Sequence, residues 1–203
     1  MLNEPVEITL LVTPQLEALN ILYVIGGSVA SIIWGEYRST NDADVLAAIQ
    51  MQHVEPLVQA LGNEFFLQAE DMREAIRFAA HHPGEARTRP RFAVLHVPTA
   101  FKIDMFVSTD RPFEQAELAR RIHEVVVSEP EGRAYIATAE DMVLAKLEWY
   151  QLGNEVSDKQ WRDILAIIKL QGPMLDRVYM SDWATRLGIE SLLSRAFAGA
   201  GNP

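Results

Sequence analysis

Tyr23-Val24-Ile25-Gly26-Gly27-Ser28, followed by Asp42-Ala43-Asp44-Val45, is the stretch on which both fold and chemistry turn. Residues 21–25 form a short apolar run closed by glycines, which predicts a buried strand. Gly26-Gly27 ends it in a tight turn, and residues 28–35 predict a short helix closed by Gly35. Glycines let the backbone approach a phosphate, and the free N–H groups of a helix start point at it. Ser28 stands at the expected N-cap, where it either caps the helix or donates its hydroxyl to a phosphate oxygen. Residues 42–49 predict a second strand, so Asp42 and Asp44, two apart, share one face. Adjacent carboxylates repel each other unless a cation sits between them. Mg²⁺ suits such a pair, because it takes hard oxygen ligands and keeps positions open for water and phosphates.

A third carboxylate lies further along. Residues 92–97 and 101–107 predict a strand pair through the Pro98-Thr99-Ala100 turn. Phe101, Ile103 and Met105 alternate with Lys102 and Asp104, so the first set faces the core and Asp104 emerges on the polar face beside Lys102. Alone, Lys102 and Asp104 read as a surface ion pair. Were this strand to neighbour the Asp42–Asp44 strand, three carboxylates would converge. A triad of that kind holds two Mg²⁺ ions across an in-line phosphoryl displacement.

Residues 4–19 predict a helix with Leu10, Leu11, Leu16 and Leu19 as its apolar positions, kinked at Pro14 or restarted there behind Thr13. Helices are expected at 52–62 and 70–80, with a short strand at 65–67. The loop over 81–90, with the residue that follows it, carries Arg87, Arg89 and Arg91, a solvated set or a contact for a phosphate-rich acceptor. Beyond residue 112 the character changes: a helix at 113–121, strands at 124–128 and 133–137, then helices at 139–152, 158–171, 173–179, 181–187 and 190–197. The expected fold class is α/β (α+β). A small mixed β-sheet core flanked by helices spans 1–110, and a mainly helical region over 111–203 packs on it.

Composition sets the outer limits. The chain has 203 residues, 49% hydrophobic and 23% charged, which suits one large domain or a domain with a helical appendage. Eighteen basic against 28 acidic residues leave a net charge of -10, which argues against nonspecific binding to long nucleic acid. With no cysteine there is no disulfide and no thiolate metal site. The N-terminus lacks the basic region of a signal peptide, and no apolar run approaches the roughly 18 residues of a membrane span. A cytoplasmic protein without a membrane partner is expected. The five histidines show no metal-ligand spacing beyond the His81-His82 pair, which reads as solvated loop histidines, and Trp34, Trp149, Trp161 and Trp183 sit in helical stretches as packing residues.

Taken together, Tyr23 to Ser28, Arg38-Ser39-Thr40-Asn41-Asp42-Ala43-Asp44-Val45 and Lys102-Ile103-Asp104 resemble the nucleotidyltransferase superfamily related to DNA polymerase β. Within it they look most like the branch of AbiEii-type toxins and their small relatives. Thr138-Ala139-Glu140-Asp141 through Lys146-Leu147, and the segment from Asp158 to Asp163, resemble that family's tail. Two departures are visible: Ala43 replaces a bulky aliphatic residue, and Trp161-Arg162-Asp163 only approximates the tail motif.

The resemblance implies transfer of a nucleoside monophosphate from an NTP to a hydroxyl on RNA, protein or a small molecule. It also implies a toxin–antitoxin setting with a cognate partner protein, or a non-catalytic module that binds a nucleotide or partner. Gly26, Gly27 and Ser28 would hold the triphosphate. Asp42, Asp44 and Asp104 would be catalytic and would ligate Mg²⁺, or Mn²⁺ in its place. Arg38 would contact phosphate or fix the loop before Asp42, as Thr40 would. Lys146 shares a helix face with Met142 and Trp149. It either snorkels outward or contacts the nucleotide's phosphates with Asp163 orienting it.

Overall fold

The structure is a computed structural model and describes residues 4–36, 39–85, 89–128 and 131–201. It divides into two compact units, Met1–Val29 with Ser39–Ile136 and Ala30–Arg38 with Ala137–Pro203. The class is the expected one, a mixed sheet with helices.

The first unit carries α1 (Glu4–Ala18), β1 (Tyr23–Ile25), the start of α2 (Gly27–Trp34), β2 (Asp42–Ala47), α3 (Val54–Leu61) and β3 (Phe65–Phe66). It continues with α4 (Ala69–His81), β4 (Arg91–His96), β5 (Phe101–Val107), α5 (Pro112–Arg120), β6 (Ile122–Ser128) and β7 (Glu131–Ile136). The strands form one seven-stranded sheet in the order β3-β4-β5-β2-β1-β7-β6. The β2–β5 and β1–β7 pairs are parallel, and the others are antiparallel.

Alternation sorts the two faces of the central strands. On β2, Ala43, Val45 and Ala47 are buried while Asp42, Asp44 and Leu46 are half-exposed. Ile103 and Met105 of β5 continue the buried face, with Tyr23 and Ile25 of β1 and Phe92 and Val94 of β4. Burial of each such side chain stabilises the fold by about 1.5–3 kcal/mol, so register is fixed. A slip of one residue would turn the two aspartates into the core.

Three expectations are corrected. The sheet does not stop near residue 110: β6 and β7 belong to it, because Ile136 of β7 pairs with Ile25 of β1, and the compact unit runs to Ile136. Pro14 does not restart α1, since a single helix runs through it. The fully buried Ile8, Val12 and Leu16 hold that helix across the missing hydrogen bond. The helices expected at 173–179 and 181–187 are instead a 3-10 turn, Gly172–Met174, and one helix, α8 (Arg177–Leu187). Asp176 caps α8 by accepting from the Tyr179 N–H, and Gly188 closes it with φ +69.

In the second unit, the end of α2 joins α6 (Ala139–Leu152), α7 (Asp158–Gln171), α8 and α9 (Glu190–Gly199). Trp34 Nε1 donates to the Ala137 carbonyl at 2.7 Å, and its own carbonyl accepts from Gln171 at 3.1 Å. Thr138 caps α6, and the fully buried Asp141 accepts from the Thr138 hydroxyl at 2.8 Å and the Tyr179 hydroxyl at 2.6 Å. Among the described residues no helix is long and apolar enough to cross a membrane.

Candidate active site

The turn between β1 and α2 is built around the second aspartate. The β1–β2 ladder continues one residue beyond the strand, with the Gly26 N–H donating to the Asp44 carbonyl at 2.9 Å. Gly27 then turns the chain with φ +54, a conformation L side chains rarely adopt. A Cβ at this position would lie 1.7 Å from Asp44 Oδ2 and 2.7 Å from Asp44 Cβ. Both constraints demand glycine, and the carboxylate of Asp44 therefore rests against the first residue of α2.

That helix begins at Gly27, so Ser28 is its second residue rather than its N-cap. Ser28 is buried and its hydroxyl faces Asp42, 3.1 Å from the carbonyl oxygen and 3.3 Å from Oδ1. The buried Thr40 hydroxyl lies 3.0 Å from Asp42 Oδ1 and 2.8 Å from Ser28 Oγ. Each hydroxyl has one proton to donate, so the two share the Asp42 oxygens as a small network. Its effect is to fix the Asp42 carboxylate. Arg38 and Arg87 lie outside the described residues.

The third carboxylate reaches the same face through strand pairing. β2 and β5 run parallel with Asp42 opposite Lys102 and Asp44 opposite Asp104. Paired residues project from the same side of a sheet, so Asp42, Asp44 and Asp104 all line one face. Asp104 is not on an open polar surface: its side chain is only 11% exposed. Lys102 Nζ is 2.7 Å from Asp104 Oδ2, and Arg91 Nε is 3.8 Å from Oδ1. The guanidinium of Arg91 also lies over the Phe106 ring, 5.8 Å from its centre.

The donor set answers how a divalent cation would fit. Asp42 and Asp44 offer adjacent carboxylates on one strand face. Mg²⁺ is commonly held by one or two carboxylates together with water and substrate phosphates, so this pair fits it. Among the described residues, however, no three His, Asp or Glu side chains are placed to share a metal ion. Asp104 already faces cations of the protein itself.

Beside Asp104 a groove of about 660 Å³ opens, with Asp71, Glu74 and Phe78 of α4 on one wall and Arg91 and Lys102 on the other. Its size falls within the range of roughly 300–1,000 Å³ typical of small-molecule sites.

Lys146 and Asp163 belong to the second unit and meet there. Nζ and Oδ2 are 2.9 Å apart, with side chains only 11% and 10% exposed. Lys146 thus does not snorkel to solvent; its charge is held by a carboxylate inside the helical unit. Thr40 and Lys102 are the two residues whose part at the carboxylates was understated by the sequence. The signal for Lys102 was its alternation with Ile103, which put it on the same face as Asp104.

No protein-family model and no curated protein matches the chain. Solved structures do. An antigenic nucleotidyltransferase-like protein from Paracoccidioides brasiliensis aligns with a TM-score of 0.55 and 17% identity, over 95% of this chain and 91% of that one. The antibiotic-resistance factor ANT(2'')-Ia aligns with a TM-score of 0.51 and 12% identity, over 98% and 96%. The chain therefore shares its overall fold with these two proteins, and at these identities the likeness is one of fold.

Proposed function

We propose that the chain transfers a nucleoside monophosphate from an NTP to a hydroxyl acceptor, using the sheet face that carries Asp42, Asp44 and Asp104. The observation that carries this reading is the β2–β5 register, which sets Asp44 beside Asp104 while Gly27 closes on Asp44. The nucleotidyltransferase-like fold supports the same chemistry.

Each residue has a task in this scheme. The turn at Gly26-Gly27 and the first N–H groups of α2 receive the triphosphate, the usual use of a glycine turn at a helix start. Ser28 and Thr40 hold the Asp42 carboxylate rather than the phosphate. Asp42 and Asp44 would hold a divalent cation, Mg²⁺ or Mn²⁺. When bound, it supplies positive charge against the triphosphate. The acceptor occupies the groove beside Asp104. Its oxygen bonds to the α-phosphorus, the bond to the bridging oxygen breaks, pyrophosphate leaves, and the acceptor proton passes to Asp104.

A groove of this size favours a small-molecule hydroxyl or a single protruding side chain or nucleotide end. The toxin–antitoxin setting is an extension of the same proposal, tested by co-purification with a protein encoded beside it.

The test is incubation with α-labelled NTPs, Mg²⁺ and candidate acceptors, comparing wild type with Asp42→Asn and Asp44→Asn. Label transfer and pyrophosphate release confined to wild type support the assignment. Equal transfer by all three proteins removes it. Nucleotide binding without pyrophosphate release would favour the second reading, a non-catalytic binding module. The pairing of Asp104 with Lys102 is the observation on that side.

A further inference from the structure

We infer that the ε-ammonium of Lys102 takes the position against Asp104 that a second divalent cation would otherwise occupy, so that this site binds one divalent cation rather than two. The inference rests on the proposed nucleotide site and concerns how its charge is arranged.

Three observations carry it. Lys102 Nζ lies 2.7 Å from Asp104 Oδ2, and Arg91 Nε approaches the other oxygen at 3.8 Å. Both Asp104 oxygens thus face protein cations, whereas Asp42 is met by neutral hydroxyls. Second, register sets the partners on one face. Lys102 precedes Asp104 by two on the same strand face, and its backbone partner across the sheet is Asp42. Third, among the described residues no three acidic or imidazole side chains are placed to share a metal.

Charge explains why the two arrangements exclude each other. A divalent ion bridging Asp44 and Asp104 would have to displace the ammonium from a mostly buried carboxylate. The displaced Lys102 would then stand close to that ion, and like charges at such range repel. A lysine, unlike a metal, is tethered to the chain, and Lys102 lines the groove wall where the acceptor is proposed to sit. Lys102 is then a positioning residue: it holds Asp104 in place, and Asp104 faces the acceptor.

The stoichiometry of Mn²⁺ reads this directly. Mn²⁺ bound in the presence of a non-hydrolysable NTP analogue would be counted by electron paramagnetic resonance, free of any assay of turnover. Wild type and Asp104→Asn are each expected to bind one ion per chain, and Asp42→Asn none. Lys102→Met, at a side chain 42% exposed and so tolerant of change, is expected to admit a second ion. Lys102→Arg is expected to keep the count at one. Two ions in wild type, falling to one in Asp104→Asn, would overturn the inference while leaving the nucleotide site intact. One ion in Lys102→Met would also overturn it. No bound ion in any variant would overturn both this inference and the proposed function.

Discussion

Asp44 stands directly beside Asp104 across the parallel β2–β5 pair, and the same Asp44 carboxylate leaves no room for a Cβ at Gly27. One side chain thereby ties the helix-start turn to the third carboxylate. The glycine turn and the acidic strand face are one structure rather than two neighbouring motifs.

Gly27→Ala should break that structure from both directions. A left-handed φ costs an alanine about 1–2 kcal/mol, and the new methyl would occupy the place of the Asp44 carboxylate. Thermal unfolding should drop, and Mg²⁺-dependent NTP affinity should fall well beyond what the lost stability explains. Gly62→Ala also carries positive φ but meets only a distant backbone oxygen, so it should lower stability alone. Equal nucleotide affinity in Gly27→Ala and wild type would contradict the proposed role of the turn.

Thr40→Val tests whether the hydroxyl network prepares Asp42. The change keeps shape and removes a donor to a carboxylate, and hydrogen bonds to charged groups contribute about 1.5–3 kcal/mol. Calorimetric affinity for an NTP analogue with Mg²⁺ should fall roughly tenfold, beyond the drop in melting temperature that the lost bond itself causes. An unaltered affinity would reduce Thr40 to a loop residue.

The Lys146–Asp163 pair should behave as a buried ion pair. Removing one partner of such a pair costs about 3–5 kcal/mol because the other charge is stranded. Lys146→Met and Asp163→Leu should each show that loss in urea unfolding, and the double variant should recover much of it. Additive losses in the double-mutant cycle would show that the two side chains do not depend on each other.

Alkaline pH should unfold the first unit through Tyr23. Burial, then the hydrogen bond its hydroxyl donates to Glu17 at 2.7 Å, hold the phenol well above its ordinary value. Because the folded value is raised, the stability this group contributes is complete below about pH 10, where the unfolded phenol titrates, and declines as pH rises beyond it. Urea midpoints for wild type should fall between pH 9 and pH 11 by more than those of Tyr23→Phe. Parallel slopes for the two proteins would assign the alkaline loss elsewhere.

How far the sequence reaches is clear at particular residues. Gly26-Gly27 and the alternation of Asp42 and Asp44 with Ala43 and Val45 announce their turn and strand faces locally. Ile103 and Met105 do the same for β5. Strand adjacency is different in kind. A parallel pair such as β2–β5 joins segments with a long crossover between them, and nothing within either segment names its neighbour. For the same reason β7 could not be placed against β1, although Ile136 and Ile25 pair there. Lys102 was visible as a neighbour of Asp104. Its meaning depends on Asp44 standing next in the sheet, a relationship that only the assembled strands supply.

Titration calorimetry with a non-hydrolysable NTP analogue, with and without Mg²⁺, reads whether the Asp42–Asp44 face binds nucleotide through a cation. Wild type and Asp44→Asn would be compared. Binding should require Mg²⁺ in wild type and be lost in Asp44→Asn, an isosteric change that leaves Gly27 its close neighbour. Binding of equal strength without Mg²⁺, or in Asp44→Asn with it, would contradict the claim that this sheet face is a cation-dependent nucleotide site.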